Sequence, residues 1–328
     1  MLSQNLHDRI LRLIGLGSIS SSQVIQNLWS GYGQILRINL EGSEYPSTIV
    51  KHVNPPSISN HPRGWNSDIS HLRKLRSYQI ELNWYKNFSS KCNDSCTVPS
   101  LISAEQSDND FLIILQDMDA YGFPARLTNI NQKAFNACLS WLANFHATFL
   151  NTPIDGLWES GCYWHLETRP QELEALDDLA LKKAASAIDL ELKASPFQTL
   201  VHGDAKLANF CFSEDSRKVA AVDFQYIGKG CGIKDLAYFV GSCLNEEQCE
   251  SQEQDILDYY FCELRKATQK THPQINCDDL EQDWRRLYPY AWADFHRFLK
   301  GWSPGHWKIN SYSERICREV IKDLEQSL

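Results

Sequence analysis

Two short segments constrain this chain more than anything else in it. Leu200-Val201-His202-Gly203-Asp204-Ala205-Lys206-Leu207-Ala208-Asn209-Phe210 reads H-G-D-x-x-x-x-N behind an apolar run, and Ala221-Val222-Asp223-Phe224-Gln225 reads D-F-Q behind another. Each apolar run is short enough for a buried strand, and each is followed by a carboxylate. An isolated loop aspartate is usually a turn cap. That reading weakens here because Asp204 and Asn209 share one loop and Asp223 follows on the next apolar segment.

Three oxygen-bearing side chains in this order suit one chemistry. Transfer of a phosphoryl group from ATP needs a carboxylate to orient or deprotonate the attacking hydroxyl. It also needs an amide oxygen and a second carboxylate to hold magnesium on the phosphates. Asp204, Asn209 and Asp223 supply these groups at the spacing of kinase catalytic loops. Mg²⁺ takes hard oxygen ligands and keeps several waters, so Asn209 and Asp223 plus phosphate oxygens make a sensible ligand set.

Gly161-Cys162-Tyr163-Trp164-His165-Leu166 and Asp235-Leu236-Ala237-Tyr238-Phe239 add further cues. With them the chain resembles the aminoglycoside phosphotransferase/choline kinase superfamily, the small-molecule branch of the protein-kinase-like fold. Within it, the likeness is to the ecdysteroid kinase-like group. It runs from about Val24 to the C-terminus, with specific catalytic segments and unspecific substrate-binding ones. The resemblance implies that Asp204 receives or orients the proton of the acceptor hydroxyl. It implies that His202 supports the loop, with a general-acid role as the alternative. Lys206 takes the place where many kinases have a lysine that meets the transferred phosphate; a solvated loop lysine is the plain alternative. Asp235 is implied to brace the catalytic-loop backbone, and a helix N-terminal Asp favoured by the macrodipole reads the same way. Gln225 stands where protein kinases have the glycine of D-F-G, which implies a segment less mobile than a switchable activation loop.

The N-terminal half fits the same plan. Leu6, Ile10, Leu13 and Ile14 have the spacing of an amphipathic helix rather than a signal peptide. Val24–Leu28, Gln34–Leu40 and Ser47–Val53 read as strands, and a polar loop runs from Asn54 to about Asn66. Ile69–Phe88 reads as a helix with Leu72, Leu75, Leu82 and Tyr85 inward; two strands follow, near Leu101 and at Phe111–Leu115. Lys51 then matches the lysine of V-A-I-K that meets the α- and β-phosphates. Glu81 is the only glutamate between Lys51 and Ala104, so it is the expected partner. Gly31 and Gly33 form the candidate phosphate-covering turn, although the full G-x-G-x-x-G is absent. Adenine is expected at the backbone of a hinge, Gln116-Asp117-Met118-Asp119, with Gln116 and Met118 as the contacts.

From Asn131 the pattern becomes mainly helical, with a buried face at Phe135, Leu139, Leu142, Phe145, His146 and Phe149, a helix over Glu172–Leu192, and helices from Ile233 onward. The expected fold is α+β, a bilobal protein-kinase-like fold. Residues 1–118 form a five-stranded antiparallel nucleotide-binding lobe, residues 119–328 a helical lobe with the catalytic loop and acceptor site, and the active site lies in the cleft between them.

Composition excludes several classes. The formal net charge of -9 argues against general nucleic-acid binding, which needs a basic surface. Eleven cysteines without paired spacing read as free thiols of a reducing cytosol, and Cys92 with Cys96 lacks the second pair that a zinc site needs. No apolar run approaches the roughly 20 residues that span a bilayer, so a cytoplasmic location is expected.

The expected activity is an ATP- and Mg-dependent small-molecule phosphotransferase acting on an alcohol that is choline-, sterol-, sugar- or aminoglycoside-like. The alternatives are a catalytically silent nucleotide-binding or interaction protein on the same fold, or a nucleotidyl-transferring variant. The acceptor itself leaves little trace. Trp284, Tyr288, Tyr290, Trp292, Phe295, Phe298, Trp302 and Trp307 read as core or as an aromatic wall, and Glu281, Asp283 and Asp294 as solvated acids or acceptor contacts. Tyr163, Trp164 and His165 read equally as packing or as pocket residues. Oligomeric state leaves no signal.

Overall fold

A computed structural model describes residues 2–55 and 68–326 of the chain. The loop expected up to about Asn66 falls outside the described residues from position 56 onward. The described chain divides into two compact units: residues 1–93, 97–125 and 211–225 form the first, and residues 94–96, 126–210 and 226–328 the second.

The first unit is built on an antiparallel sheet of β1 (Ser18–Asn27), β2 (Gly33–Glu41), β3 (Ser47–Val53), β4 (Leu101–Ser107) and β5 (Asp110–Gln116), in the order β1-β2-β3-β5-β4. Alternation along the strands sorts its two faces. Leu36, Ile38 and Leu40 of β2, Val50 of β3, and Leu112 and Ile114 of β5 pack against Leu6 and Ile10 of helix α1 (Gln4–Ile14). One residue beyond Val50, Lys51 therefore leaves the sheet on the other side, the side of α2 (Asp68–Asn87). Ser3 caps α1, accepting the Leu6 N–H, and Arg9 ties the helix to Glu105 at 3.0 Å and Asp110 at 2.5 Å.

β1 starts six residues earlier than its pattern suggests, because Ser18–Gln23 reads as turn material. This is an edge strand, and nearly all of it is exposed, so no hydrophobic alternation marks it. In α2 the expected inward Leu72 is exposed. Leu82 and Tyr85 are buried as expected, together with Ser77, Tyr78, Ile80, Glu81 and Trp84. Leu72 lies nine residues from Glu81, which at 3.6 residues per turn is half a revolution.

The second unit begins with α3 (Gln132–Thr148), capped by Asn131, whose buried face includes Phe135, Leu139, Leu142, Phe145 and His146 as expected. The single helix expected over Glu172–Leu192 is two: α4 (Pro170–Glu174) and α5 (Leu179–Ala194). Asp178 makes the break. It accepts the Leu181 N–H as the α5 cap, and Lys300 reaches its carboxylate at 2.9 Å. Strand β6 (Thr199–Val201) leads into the H-G-D loop, and β7 (Phe210–Phe212) and β8 (Val219–Ala221) form a hairpin that carries the chain into the first unit. β9 (Gly228–Gly230) returns to pair with β6. Helices α6 (Ile233–Cys243), α7 (Glu246–Thr271), α8 (Cys277–Trp302) and α9 (Ser311–Gln326) follow; α8 packs on α5, α6 and α9, and α7 on α3. The fold is the α+β one expected: a five-stranded antiparallel sheet and a helical C-terminal part. All eleven cysteines are free thiols. Among the described residues no helix is long and apolar enough to cross a membrane.

Candidate active site

The H-G-D loop is held by its backbone. Asp235, fully buried in the first turn of α6, accepts the His202 N–H at 2.5 Å and the Gly203 N–H at 2.9 Å. Its Oδ2 also meets His146 Nε2 at 3.2 Å, and His146 Nδ1 meets the Tyr260 hydroxyl at 2.8 Å. A carboxylate accepting two backbone N–H groups at a helix start gains from both charge-assisted bonding and the helix dipole. Gly203 adopts φ 80°, and a Cβ there would lie 2.2 Å from the Tyr226 carbonyl oxygen. Only glycine fits between His202 and Asp204. His202 is completely buried; its Nδ1 accepts the Asp204 N–H at 3.2 Å, and its ring meets Trp141 edge-on. This is the position of a loop support.

Asp204 is thereby fixed, and its carboxylate is aimed by three donors. Tyr238 donates its hydroxyl to Oδ1 at 3.0 Å, Lys206 reaches Oδ2 at 2.8 Å, and Asn209 Nδ2 reaches Oδ2 at 3.0 Å and the Asp204 carbonyl at 2.8 Å. Asn209 spends its amide nitrogen on Asp204, which turns its amide oxygen to other use. Lys206 is far more open than Asp204, with 41% against 8% of the side chain exposed. Tyr238 is the residue that sequence reasoning missed. It lies three residues after Asp235 on α6, so both point from one helix face, and that i, i+3 offset was the available signal.

The first unit assembles a second group. Lys51 Nζ lies 2.7 Å from Glu81 Oε2 and 3.0 Å from Asp223 Oδ1. Lys51 and Glu81 are buried, whereas 35% of the Asp223 side chain is exposed. Burial opposes the Lys51 charge, but the Asp223 and Glu81 carboxylates outweigh it and raise its pKa. Burial pushes Glu81 up to about 7; Asp223 adds to the rise and Lys51 works against it.

Asp223 sits at φ 70°, a left-handed conformation that Asp tolerates better than most residues and that often marks functional positions. Gln225 helps hold it there: its Nε2 donates to Asp223 Oδ1 at 2.7 Å, and its Oε1 accepts from Ser77 on α2 at 3.2 Å. Phe224 is buried and stacked on Trp84 with ring centres 4.7 Å apart. The D-F-Q segment is thus tied to α2 by a stack and a hydrogen-bond chain.

The two glycines of the β1–β2 turn differ. Gly33 has φ 137°, and a Cβ would lie 2.0 Å from the His52 carbonyl oxygen, so the sheet itself requires it. Gly31 has φ 73° and open space beside it. Lys74 of α2 donates to Ser30 in this turn at 2.9 Å. In the segment expected as a hinge, the Gln116 N–H is spent on the Ser100 carbonyl at 2.9 Å, and the Met118 carbonyl accepts the Phe123 N–H at 2.9 Å. Asp117 is engaged by Arg37 and Ser47, both at 2.7 Å. The Met118 side chain is buried with Phe123, Cys211 and Ala220, and Val222 packs on them.

Residues 159–272 match the Ecdysteroid kinase-like family. Solved structures share the fold across nearly the whole chain. An amicoumacin kinase in complex with AMP-PNP, Ca²⁺ and Ami is 12% identical over 99% of this chain and 94% of its own, with a TM-score of 0.50. A microcompartment-associated aminopropanol kinase is 13% identical over 97% and 98%, at 0.52. Plasmodium vivax ethanolamine kinase is 13% identical over 94% and 84%, at 0.50. The fold is that of these small-molecule kinases, and the central segment is similar to the Ecdysteroid kinase-like family. No curated protein matches the chain in sequence.

Several candidate acceptor residues are engaged elsewhere. Asp294 is 1% exposed and is held by Trp164 Nε1 at 2.9 Å, Arg297 at 2.7 Å and Lys234 at 3.2 Å. Asp283 accepts from Ser195 at 2.6 Å, and Glu281 pairs with Arg265 at 3.0 Å and Arg285 at 2.8 Å. Trp164, Trp284, Tyr288, Tyr290, Trp292, Phe295 and Phe298 are buried, while Trp307 is exposed. Among the described residues no three His, Cys, Asp or Glu side chains cluster as a metal site.

Proposed function

We propose that this chain is an ATP- and Mg²⁺-dependent O-phosphotransferase for a small-molecule alcohol. The kinase-like fold supports a small-molecule phosphotransferase in general terms. The observation that carries the specific reading is the presentation of Asp204: one carboxylate, aimed by Tyr238, Lys206 and Asn209, on a loop whose backbone Asp235 pins.

In this reading Asp204 orients the acceptor hydroxyl and takes its proton as the new O–P bond forms and the bond to the leaving ADP breaks. Lys206, already beside Asp204, attends the transferred phosphate. His202 supports the loop. Lys51, kept charged by Glu81, meets the α- and β-phosphates, with Gly31 and Gly33 in the covering turn and Gln116 and Met118 beside adenine. The Met118 N–H, which donates to no group among the described residues, is the natural donor to the base. Asn209 and Asp223 would hold the divalent cation, which neutralises phosphate charge when bound. Their chemistry suits it: a hard amide oxygen whose nitrogen is already spent, and a carboxylate with 35% of its side chain exposed.

The test is a metabolite-library screen for ATP-dependent mass gain of one phosphate, with Asp204→Asn as the control. Asn keeps the shape and loses the base, so turnover is expected to fall by about 10²–10⁴ while ATP still binds. Added nucleoside monophosphate would show nucleotidyl transfer instead. Equal activity in the variant, or no product from well-folded wild type across a broad alcohol library, would sink the reading.

A further inference from the structure

The loop between α8 and α9 places a lysine among aromatic rings without a counter-ion. Lys308 Nζ lies 4.9 Å from the ring centre of Tyr238, 5.5 Å from that of Phe295 and 5.5 Å from that of Trp307. Among the described residues no carboxylate pairs with it, and its ammonium donates to no oxygen. The two fully buried lysines are treated differently. Lys51 has Glu81 at 2.7 Å, and Lys234 has Asp294 at 3.2 Å. The Lys308 backbone is held: its N–H donates to His306 Nδ1 at 3.2 Å, and its carbonyl accepts from Ser313 at 3.2 Å. The ammonium is therefore placed, not trailing.

Its position bears on the proposed reaction. The Tyr238 ring beneath Lys308 is the one whose hydroxyl donates to Asp204. Burial lowers the Lys308 pKa to about 8, with Cys243 and Asp204 opposing the fall and Lys206 adding to it, so the ammonium is still charged at pH 7. A cation over aromatic faces recovers only part of its lost hydration. A box of three rings beside a catalytic carboxylate would otherwise suit a cationic acceptor. Here the protein's own ammonium fills it, and a second cation would meet a like charge.

Resting on the phosphotransferase reading above, we infer that Lys308 selects the acceptor: the alcohol phosphorylated here carries an anionic group that pairs with the Lys308 ammonium over the Tyr238 ring, and cationic amino alcohols are rejected. Lys308 is a specificity residue in this scheme and takes no part in the transfer itself.

Three alcohols of one shape test this: 4-(hydroxymethyl)benzoate, neutral 4-methylbenzyl alcohol and 4-(hydroxymethyl)benzyltrimethylammonium. Binding to the full chain, with magnesium and a non-hydrolysable ATP analogue present, is read by calorimetry or saturation-transfer NMR; turnover is read separately. Wild type is expected to bind the benzoate at least about tenfold more tightly than the other two. Lys308→Met should erase that preference, and Lys308→Glu should turn it towards the ammonium compound. Equal binding of all three to wild type, a wild-type preference for the cation, binding of none, or a benzoate preference that survives Lys308→Met overturns the inference. Because binding is measured apart from turnover, the two readings fail separately. Charge-selective binding that depends on Lys308, without phosphate on any probe, keeps this inference and sinks the phosphotransferase. Equal binding and transfer to all three does the reverse.

Discussion

Each unit holds a cluster of ion pairs, and the two are centred on opposite charges. In the sheet unit one cation, Lys51, serves two carboxylates, Glu81 and Asp223. In the helical unit two cations, Lys234 and Arg297, serve one carboxylate, Asp294. The pKa directions follow. Burial pushes Glu81 up to about 7, Lys51 opposes the rise and the Asp223 charge adds to it. Burial acts equally against Asp294, but Lys234 and Arg297 outweigh it and hold the carboxyl well below the usual range. Exposure separates them too: 35% of the Asp223 side chain is open, against 1% for Asp294. A closed cluster with its carboxylate oversupplied is a strut. A cluster whose carboxylate is partly open, as in the proposed function, is suited to meet a ligand.

The sharpest way to break this contrast is to remove the central charge from each cluster. Asp294→Ala strands Lys234 and Arg297 in the core, and a loss of about 3–5 kcal/mol in urea unfolding is expected. Lys51→Met should cost less, about 1–3 kcal/mol, because Glu81 can take a proton instead of staying as an unpaired buried charge. Its damage should fall on nucleotide binding and turnover. If the two variants lose equal stability, or if Lys51→Met keeps full affinity for ATP, the distinction between strut and site fails.

A smaller effect sharpens the picture of the closed cluster. His165, buried near Lys234 and Asp189, has its pKa lowered to about 4, first by burial and then by Lys234. The unfolded chain, with an ordinary value near 6.5, binds more protons than the folded one between those two pKa values. Stability is therefore expected to fall as pH drops from about 6.5 to about 4, by at most about 1.4 kcal/mol per pH unit. His165→Asn should flatten that stretch of the curve of melting temperature against pH. An unchanged slope would show that His165 is not held neutral.

What could be read in the sequence was local. His202, Gly203, Asp204 and Asn209 lie on one loop, so their spacing fixes their geometry within a few bonds, and the structure brings Asp204, Lys206 and Asn209 together. The kinase plan called for a glutamate on the helix after Lys51, and Glu81 was the only one between Lys51 and Ala104. Where the pattern gave way, a partner far along the chain made the choice. Leu72 has the composition of an inward residue, yet α2 turns the stripe containing Glu81 and Trp84 inward, because Lys51 and Phe224 are there to meet it. Asp178 breaks the helix expected over Glu172–Leu192 with Lys300 in reach, which no local pattern announces.

The chain by itself therefore carried the plan of the fold and the motif behind the proposed chemistry, because strand alternation, helix spacing and an eight-residue H-G-D-x-x-x-x-N loop are short-range properties of a polymer. Tertiary structure alone decided which acids are spent and which are open. Asp294 and Asp223 are the same residue type, and only packing closes one between Lys234 and Arg297 and leaves the other beside Lys51 with 35% of its side chain exposed. It likewise decided that Tyr238 aims Asp204 and that Lys308 stands over the Tyr238 ring. Charge interactions depend on distance through space and on burial, and neither is a function of separation along the chain.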